Sequence, residues 1–155
     1  MGDLIRNIIM YAVIMAVIIA CFKFLKLHNK VNIDSNDHSM DPVYTYGDYK
    51  LDATILKVSD LHTNDVVAYW VPGTSKLRVA KVMALEGQKI EANKSIKVDG
   101  QPTAQPIGRG DWGFPETKVP RGCVFVMAAS PSQAEDSMTV GAIPFLSIKG
   151  RLPPP

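Results

Sequence analysis

Cysteine is nearly absent from this chain, with two residues, Cys21 and Cys123, among 155. A disulfide framework is therefore excluded, and an internal bridge is not expected because Cys21 lies inside an apolar run. No Cys/His spacing suits zinc, so neither a metal nor another cofactor is expected. Net charge is only +2, and Lys/Arg residues cluster nowhere beyond the flank of the apolar run, which argues against nucleic acid as a partner. No internal repeat is visible. The length suits one ordinary domain plus an anchor.

Charge is missing altogether from Asn7 to Phe22 (NIIMYAVIMAVIIACF), and apolar character resumes at Phe24-Leu25 beyond Lys23. A helix from Ile8 to Leu25 covers about 27 Å, just short of the roughly 30 Å hydrocarbon core, and Lys23 can snorkel. The run is apolar on every face, unlike an amphipathic surface helix. The expectation is a single membrane-spanning helix, with residues 1–36 as anchor and polar linker, residues 37–155 as the folded domain, and the lipid bilayer as a partner. Two processing alternatives stay open. Ile18-Ile19-Ala20-Cys21 loosely resembles a lipoprotein signal with Cys21 lipidated, and a cleaved signal peptide is the other, although Lys23 and Lys26 sit poorly after a cut. Lys23, Lys26 and Lys30 follow the span while Arg6 precedes it, so loop charge alone favours a cytoplasmic carboxyl domain.

Beyond the anchor the pattern is mainly β. Asp65 to Val71 is β-branched and aromatic and closes at Pro72-Gly73; Leu77 to Leu85 ends at Glu86-Gly87. Ser95 to Val98 runs into Asp99-Gly100, a strong hairpin signal. Val124 to Ala128 and Phe145 to Ile148 are further candidate strands, and Pro- and Gly-rich Gln101 to Val119 reads as a long loop. Short strands between turn signals suggest a sandwich or a partly open barrel with little helix outside the anchor.

Between the anchor and the first strands lies Asp37-His38-Ser39-Met40-Asp41-Pro42, followed by Gly47-Asp48. Ser-Met-x-Pro with Gly-Asp five residues past the proline resembles the nucleophile motif of type I signal peptidases, membrane-anchored proteases with a Ser/Lys dyad. The likeness continues in order. Asn64-Asp65-Val66-Val67 is similar to that family's Gly-Asp-Val-Val strand, and Val98-Asp99-Gly100 to its Val-Asn-Gly hairpin. Val119-Pro120-Arg121-Gly122-Cys123-Val124-Phe125-Val126-Met127 is similar to Val-Pro-x-Gly-x-x-Phe-Val-Met. Asp136-Ser137, Gly141, Pro144 and Ile148 to Arg151 match the closing block. The resemblance implies a β-rich catalytic domain outside the cytoplasm, at the bacterial inner membrane, acting on precursor proteins that carry signal peptides. It implies Ser39 as nucleophile, Met40 and Asp37 beside the substrate, and Asp136 and Ser137 in support.

The base is where the pattern departs. In the family's Lys-Arg-x-x-Gly-x-Pro-Gly-Asp, counting back from Leu85-Glu86-Gly87-Gln88 puts the lysine on Ala80 and the arginine on Lys81. Strand alternation then turns Ala80 toward Ser39 and Lys81 away from it. Three explanations compete: a bulge that shifts the register and brings Lys81 in, a non-catalytic relative, or an engineered Lys→Ala replacement. The closing block has drifted as well, with Ala128-Ala129-Ser130-Pro131 and Ala134 where the family carries Gly-Asp-Asn-Arg and a serine near the base. His38 adjoins Ser39, but adjacent side chains in extended chain diverge, and nothing places His62 or His28 near it. Met83 and Met127 read as core, whereas Trp70 and Trp112 fit core, surface or a membrane edge. Two functions follow: a signal-peptide-removing serine endopeptidase using Ser39 with Lys81 or position 80, or a membrane-tethered binding module or assembly chaperone that keeps the cleft without the chemistry.

Overall fold

The computed structural model describes residues 2–55, 57–93, 95–104, 113–130 and 135–155, with 2–5 and 22–28 described by backbone alone. Trp112, Pro131, Ala134 and residues 105–111 of the expected loop lie outside the described residues. Two compact units divide the chain, Met1–Lys30 and Val31–Pro155.

The uncharged run forms one continuous helix, α1 (Gly2–His28). Its apolar residues from Ile8 to Ile19 stay exposed all round, as a sequence without a polar face requires. Among the described residues no helix is long and apolar enough to cross a membrane.

The second unit is mainly β. Strands β1 (Lys30–Ile33) and β2 (Gly47–Lys50) form a two-stranded sheet. Residues Lys26 to Asn36 were expected as polar linker, yet Val31 and Ile33 alternate into the core within it. Strands β3 (Val66–Trp70) and β4 (Leu77–Ala84) lie inside a five-stranded antiparallel sheet. Its other members are β9 (Cys123–Met127), β10 (Ile143–Pro144) and β11 (Ile148–Arg151), in the order β10-β9-β4-β3-β11. Because both faces of β3 are covered, its apolar run is nearly continuous. Val67 and Tyr69 enter one cluster with Ala80, Val82 and Val126, while Val66 and Ala68 enter a second with Met40, Tyr44 and Val79.

A four-stranded sheet, β7-β6-β5-β8, takes β5 (Lys89–Asn93), β6 (Ser95–Val98), β7 (Gln101–Pro102) and β8 (Phe114–Lys118). Ile90, Ala92 and Ile96 face inward onto Met83, Phe125 and Met127, and the other face carries ion pairs such as Lys89–Glu116. The Asp99-Gly100 hairpin forms with positive φ at both residues, 49° and 76°, as a primed two-residue turn demands.

Two expectations are corrected, and one strand is added. The long loop contains β7 and β8; β8 is an edge strand, so Pro115 costs it no ladder bond. Lys89–Asn93 is a strand, β5, that the sequence reading passed over. Phe145–Ser147 is a 3-10 turn with Leu146 fully exposed, and the strand begins only at Ile148.

Candidate active site

The turn around Ser39 is built by its own polar side chains. Asp37 Oδ1 accepts the Ser39 N–H at 3.1 Å, and the Met40 carbonyl accepts from Val43 and Tyr44, each at 3.0 Å. On the other side, Ser130 N–H donates to the Ser39 carbonyl at 2.8 Å. Tyr44, buried, donates its hydroxyl to the Pro153 carbonyl at 2.6 Å, and burial, with Tyr49 nearby, raises its pKa. These ties hold Ser39 and Met40 at 3% exposure each.

Beside this turn lies a cavity of about 530 Å³ whose lining includes Met40, Val43, Tyr44, Lys81 and Ala129. At its polar end Arg151 donates to Asp52 at 3.0 Å and to Asp65 at 3.2 Å. The Asp52 carboxyl is held down to about 2, first by the Thr54 hydroxyl and amide and then by Arg151.

The strand register settles which way β4 residues point, and the expectation from alternation is reversed. Lys81 pairs with Val66, and Ala80 with Val67. Val66 belongs to the Met40 cluster, whereas Val67 and Ala80 belong to the opposite one, where Ala80 is fully buried. Lys81, half-buried, therefore lies on the side of the Ser39 turn, and Ala80 does not. Between β4 and β9 the register runs Lys81↔Met127, Val82↔Val126, then Ala84↔Phe125, with a bulge at Met83. From Val79 to Val82 the faces alternate regularly, with Val79 and Lys81 on one side and Ala80 and Val82 on the other. The count back from Gly87 misplaces the lysine because Lys81 stands one residue nearer Gly87 than the motif's lysine would, and a one-residue difference inverts the face. Ser39 and Lys81 are not hydrogen-bonded to each other among the described residues.

Asp136 and Ser137 take backbone roles. Asp136, 1% exposed, caps the short helix α2 (Ser137–Val140) by accepting from Met138 N–H at 3.0 Å, and its other oxygen accepts from Ala128 N–H at 3.1 Å. Ser137 Oγ accepts from Val126 N–H at 2.9 Å. The pair fastens the end of β9, from which Ser130 reaches Ser39. Asp136→Ala strands the buried Ala128 amide and the partly buried Met138 amide, and a loss of about 3 kcal/mol is expected. Urea unfolding should show a lower midpoint at unchanged slope; an unaltered midpoint would contradict this role.

His38, exposed, sits 2.7 Å from Asp41 Oδ2, and exposed His62 lies in the turn before β3 at 3.8 Å from Asp65. Neither is placed at Ser39 by any contact of the structure. Sequence reasoning passed over Arg78, whose guanidinium reaches both Asp37 and Glu135. The available signal was an arginine set among the apolar residues Leu77, Val79 and Ala80 of a strand. Among the described residues no group of acidic, His or Cys side chains is arranged to hold a metal.

The domain is thus mainly β, with Ser39 buried at a proline turn and a neighbouring cavity whose lining includes Met40 and Lys81. Residues 4–153 match the model of the family described as signal peptidase, peptidase S26, and the chain belongs to that family. A probable signal peptidase I-1 of Synechocystis sp. is 35% identical over 75 residues, 46% of this chain and 38% of that protein. The match thus spans well under half of that relative's length. A crystal structure of a signal peptidase I from Enterococcus faecalis V583 superposes with a TM-score of 0.50 at 16% identity, covering 60% of this chain and 97% of that one. At that identity it speaks for the fold alone, and it agrees with the signal-peptidase-like β fold expected from the sequence.

Proposed function

We propose that this chain is a membrane-tethered serine endopeptidase that removes signal peptides from translocated precursors, with Ser39 as nucleophile and Lys81 as base. One observation carries the reading: Lys81 lines the same cavity as Met40, on the face of β4 turned toward the Ser39 turn.

In this reading the Lys81 amine takes the Ser39 proton as Oγ attacks the scissile carbonyl. Regular alternation along β4 makes this available, since it puts Lys81 on the face of Val66 and Val79, opposite Ala80. Negative charge then develops on the carbonyl oxygen, and this reading assigns the Ser39 N–H as a donor to it. Collapse of the tetrahedral intermediate returns the proton to the leaving amine, and water releases the acyl group from Ser39. The cavity bounded by Met40, Val43 and Tyr44 accepts the small apolar residues before the cut. Helix α1, 27 residues and about 40 Å long, is the membrane tether. Its uncharged stretch supports this, and the domain stands on the non-cytoplasmic side, where precursors emerge.

The test is incubation of the purified chain with a precursor bearing a signal peptide. Cleavage after small residues that Ser39→Ala abolishes is the expected outcome. Precursor binding without cleavage would instead identify a tethered binding module or chaperone.

A further inference from the structure

The backbone N–H that the proposed reaction needs for the oxyanion is already occupied. Asp37 Oδ1 accepts it at 3.1 Å. A carboxylate that accepts from the residue two ahead is ordinary turn chemistry, but two features set this one apart. The N–H belongs to the nucleophile, and the Asp37 side chain is only 13% exposed. Its second oxygen, Oδ2, accepts from Arg78 Nη1 at 3.4 Å, long for a charge-assisted bond. Arg78 stands on β4 and directs its other nitrogens to Glu135, Nε at 3.1 Å and Nη2 at 3.0 Å. Lys76 donates to the same carboxylate at 2.7 Å, and the Glu135 carbonyl accepts the Tyr69 hydroxyl at 2.9 Å.

Acyl transfer at Ser39 places negative charge on the substrate oxygen beside this N–H. A carboxylate there both takes the donor and repels the charge. The long Arg78 contact leaves room for the opposite movement, in which Oδ2 closes on the guanidinium as Oδ1 lets the N–H go.

We propose that Asp37 blocks the oxyanion donor of Ser39 at rest, and that Arg78 is the positioning residue that draws the carboxylate aside when a substrate carbonyl enters. The proposal rests on Ser39 as nucleophile. It makes turnover depend on substrate contacts strong enough to displace Asp37, so the chain is slow on short peptides that lack them.

The experiment compares kcat and KM on a signal-peptide-bearing precursor for the full chain, Asp37→Asn, Arg78→Gln, Arg78→Lys and the Asp37→Asn/Arg78→Gln double variant. Thermal unfolding checks that each is folded, and Asp37→Ser serves if the Asn variant is not. Removing the anion should raise kcat about tenfold with KM little changed. Arg78→Gln should lower kcat in the native background, with part restored in Arg78→Lys, yet do little once Asp37 is neutral, a coupling of more than about fivefold. If the native chain does not cleave, cleavage gained by Asp37→Asn supports the block and its absence overturns it. A folded Asp37→Asn variant with unchanged or lower kcat, or additive effects of the two substitutions, also overturns it. Failure of the underlying reading looks different: cleavage by Asp37→Asn would survive Ser39→Ala.

Discussion

Replacing Lys81 by methionine should lower Ser39-dependent cleavage by about a thousandfold or more while leaving the fold intact. Methionine keeps the length and the apolar stem that lies along the cavity beside Met40 and Tyr44, so packing is nearly conserved. What is lost is the amine. A positioned general base contributes about a hundred- to ten-thousandfold, and removing one member of a dyad costs at least as much because the two act as a unit. Burst and steady-state kinetics on a precursor, alongside unfolding curves, give the measurement. A variant that folds and still cleaves at near-native rate would remove Lys81 from the reaction. A variant that binds precursor with native affinity but does not cleave it is the outcome the dyad requires.

Much of this architecture is written plainly in the residues. Val66 to Trp70 and Cys123 to Met127 are β-branched runs that form strands buried on both faces, and Asp99-Gly100 makes its hairpin because few other pairs tolerate two positive φ values. The ordered motifs, from the Ser39 turn to Ile148-Lys149-Gly150-Arg151, place the chain in its family. What stayed hidden depends on partners distant in sequence. β8 is exposed along nearly its whole length and carries Pro115, so only pairing with β5 makes it a strand. Val31 and Ile33 look like linker residues until the core they enter is known. The long α1 helix is legible as an uncharged run, but the orientation of the proposed tether is not, because Lys23, Lys26 and Lys30 favour one side and the family the other.

The lysine of β4 is the instructive case. A count back from Gly87 fixes a face only where the spacing matches, and a difference of one residue inverts every assignment. The strand also carries a bulge at Met83. Val82, Met83 and Ala84 are three consecutive apolar residues, and all three are buried. Met83 and Ala84 turn together toward the four-stranded sheet, while Val82 stays with Ala80 in the first cluster. Such a run also fits a strand covered on both faces, so the residues alone do not distinguish the two.

The complementary prediction concerns Ala80, and it separates a vacant base position from a core position. Ala80→Lys should destabilise the domain by about 4 kcal/mol and should not supply a base. Ala80 is fully buried among Val67, Tyr69, Val82 and Val126. An ammonium placed there loses its hydration, and the longer side chain overpacks a space that fits one methyl group. Against the usual 5–15 kcal/mol of total stability, a loss of about 4 kcal/mol is large. Its signature is a lowered unfolding midpoint, with weakened cleavage in proportion to the unfolded fraction. The discriminating measurement is made on Lys81→Met combined with Ala80→Lys. If position 80 faces the hydrophobic cluster, the double variant stays inactive and is less stable than Lys81→Met alone. Recovery of Ser39-dependent cleavage in the double variant, with native-like stability, would show that residue 80, and not Lys81, lies on the face of β4 that reaches Ser39.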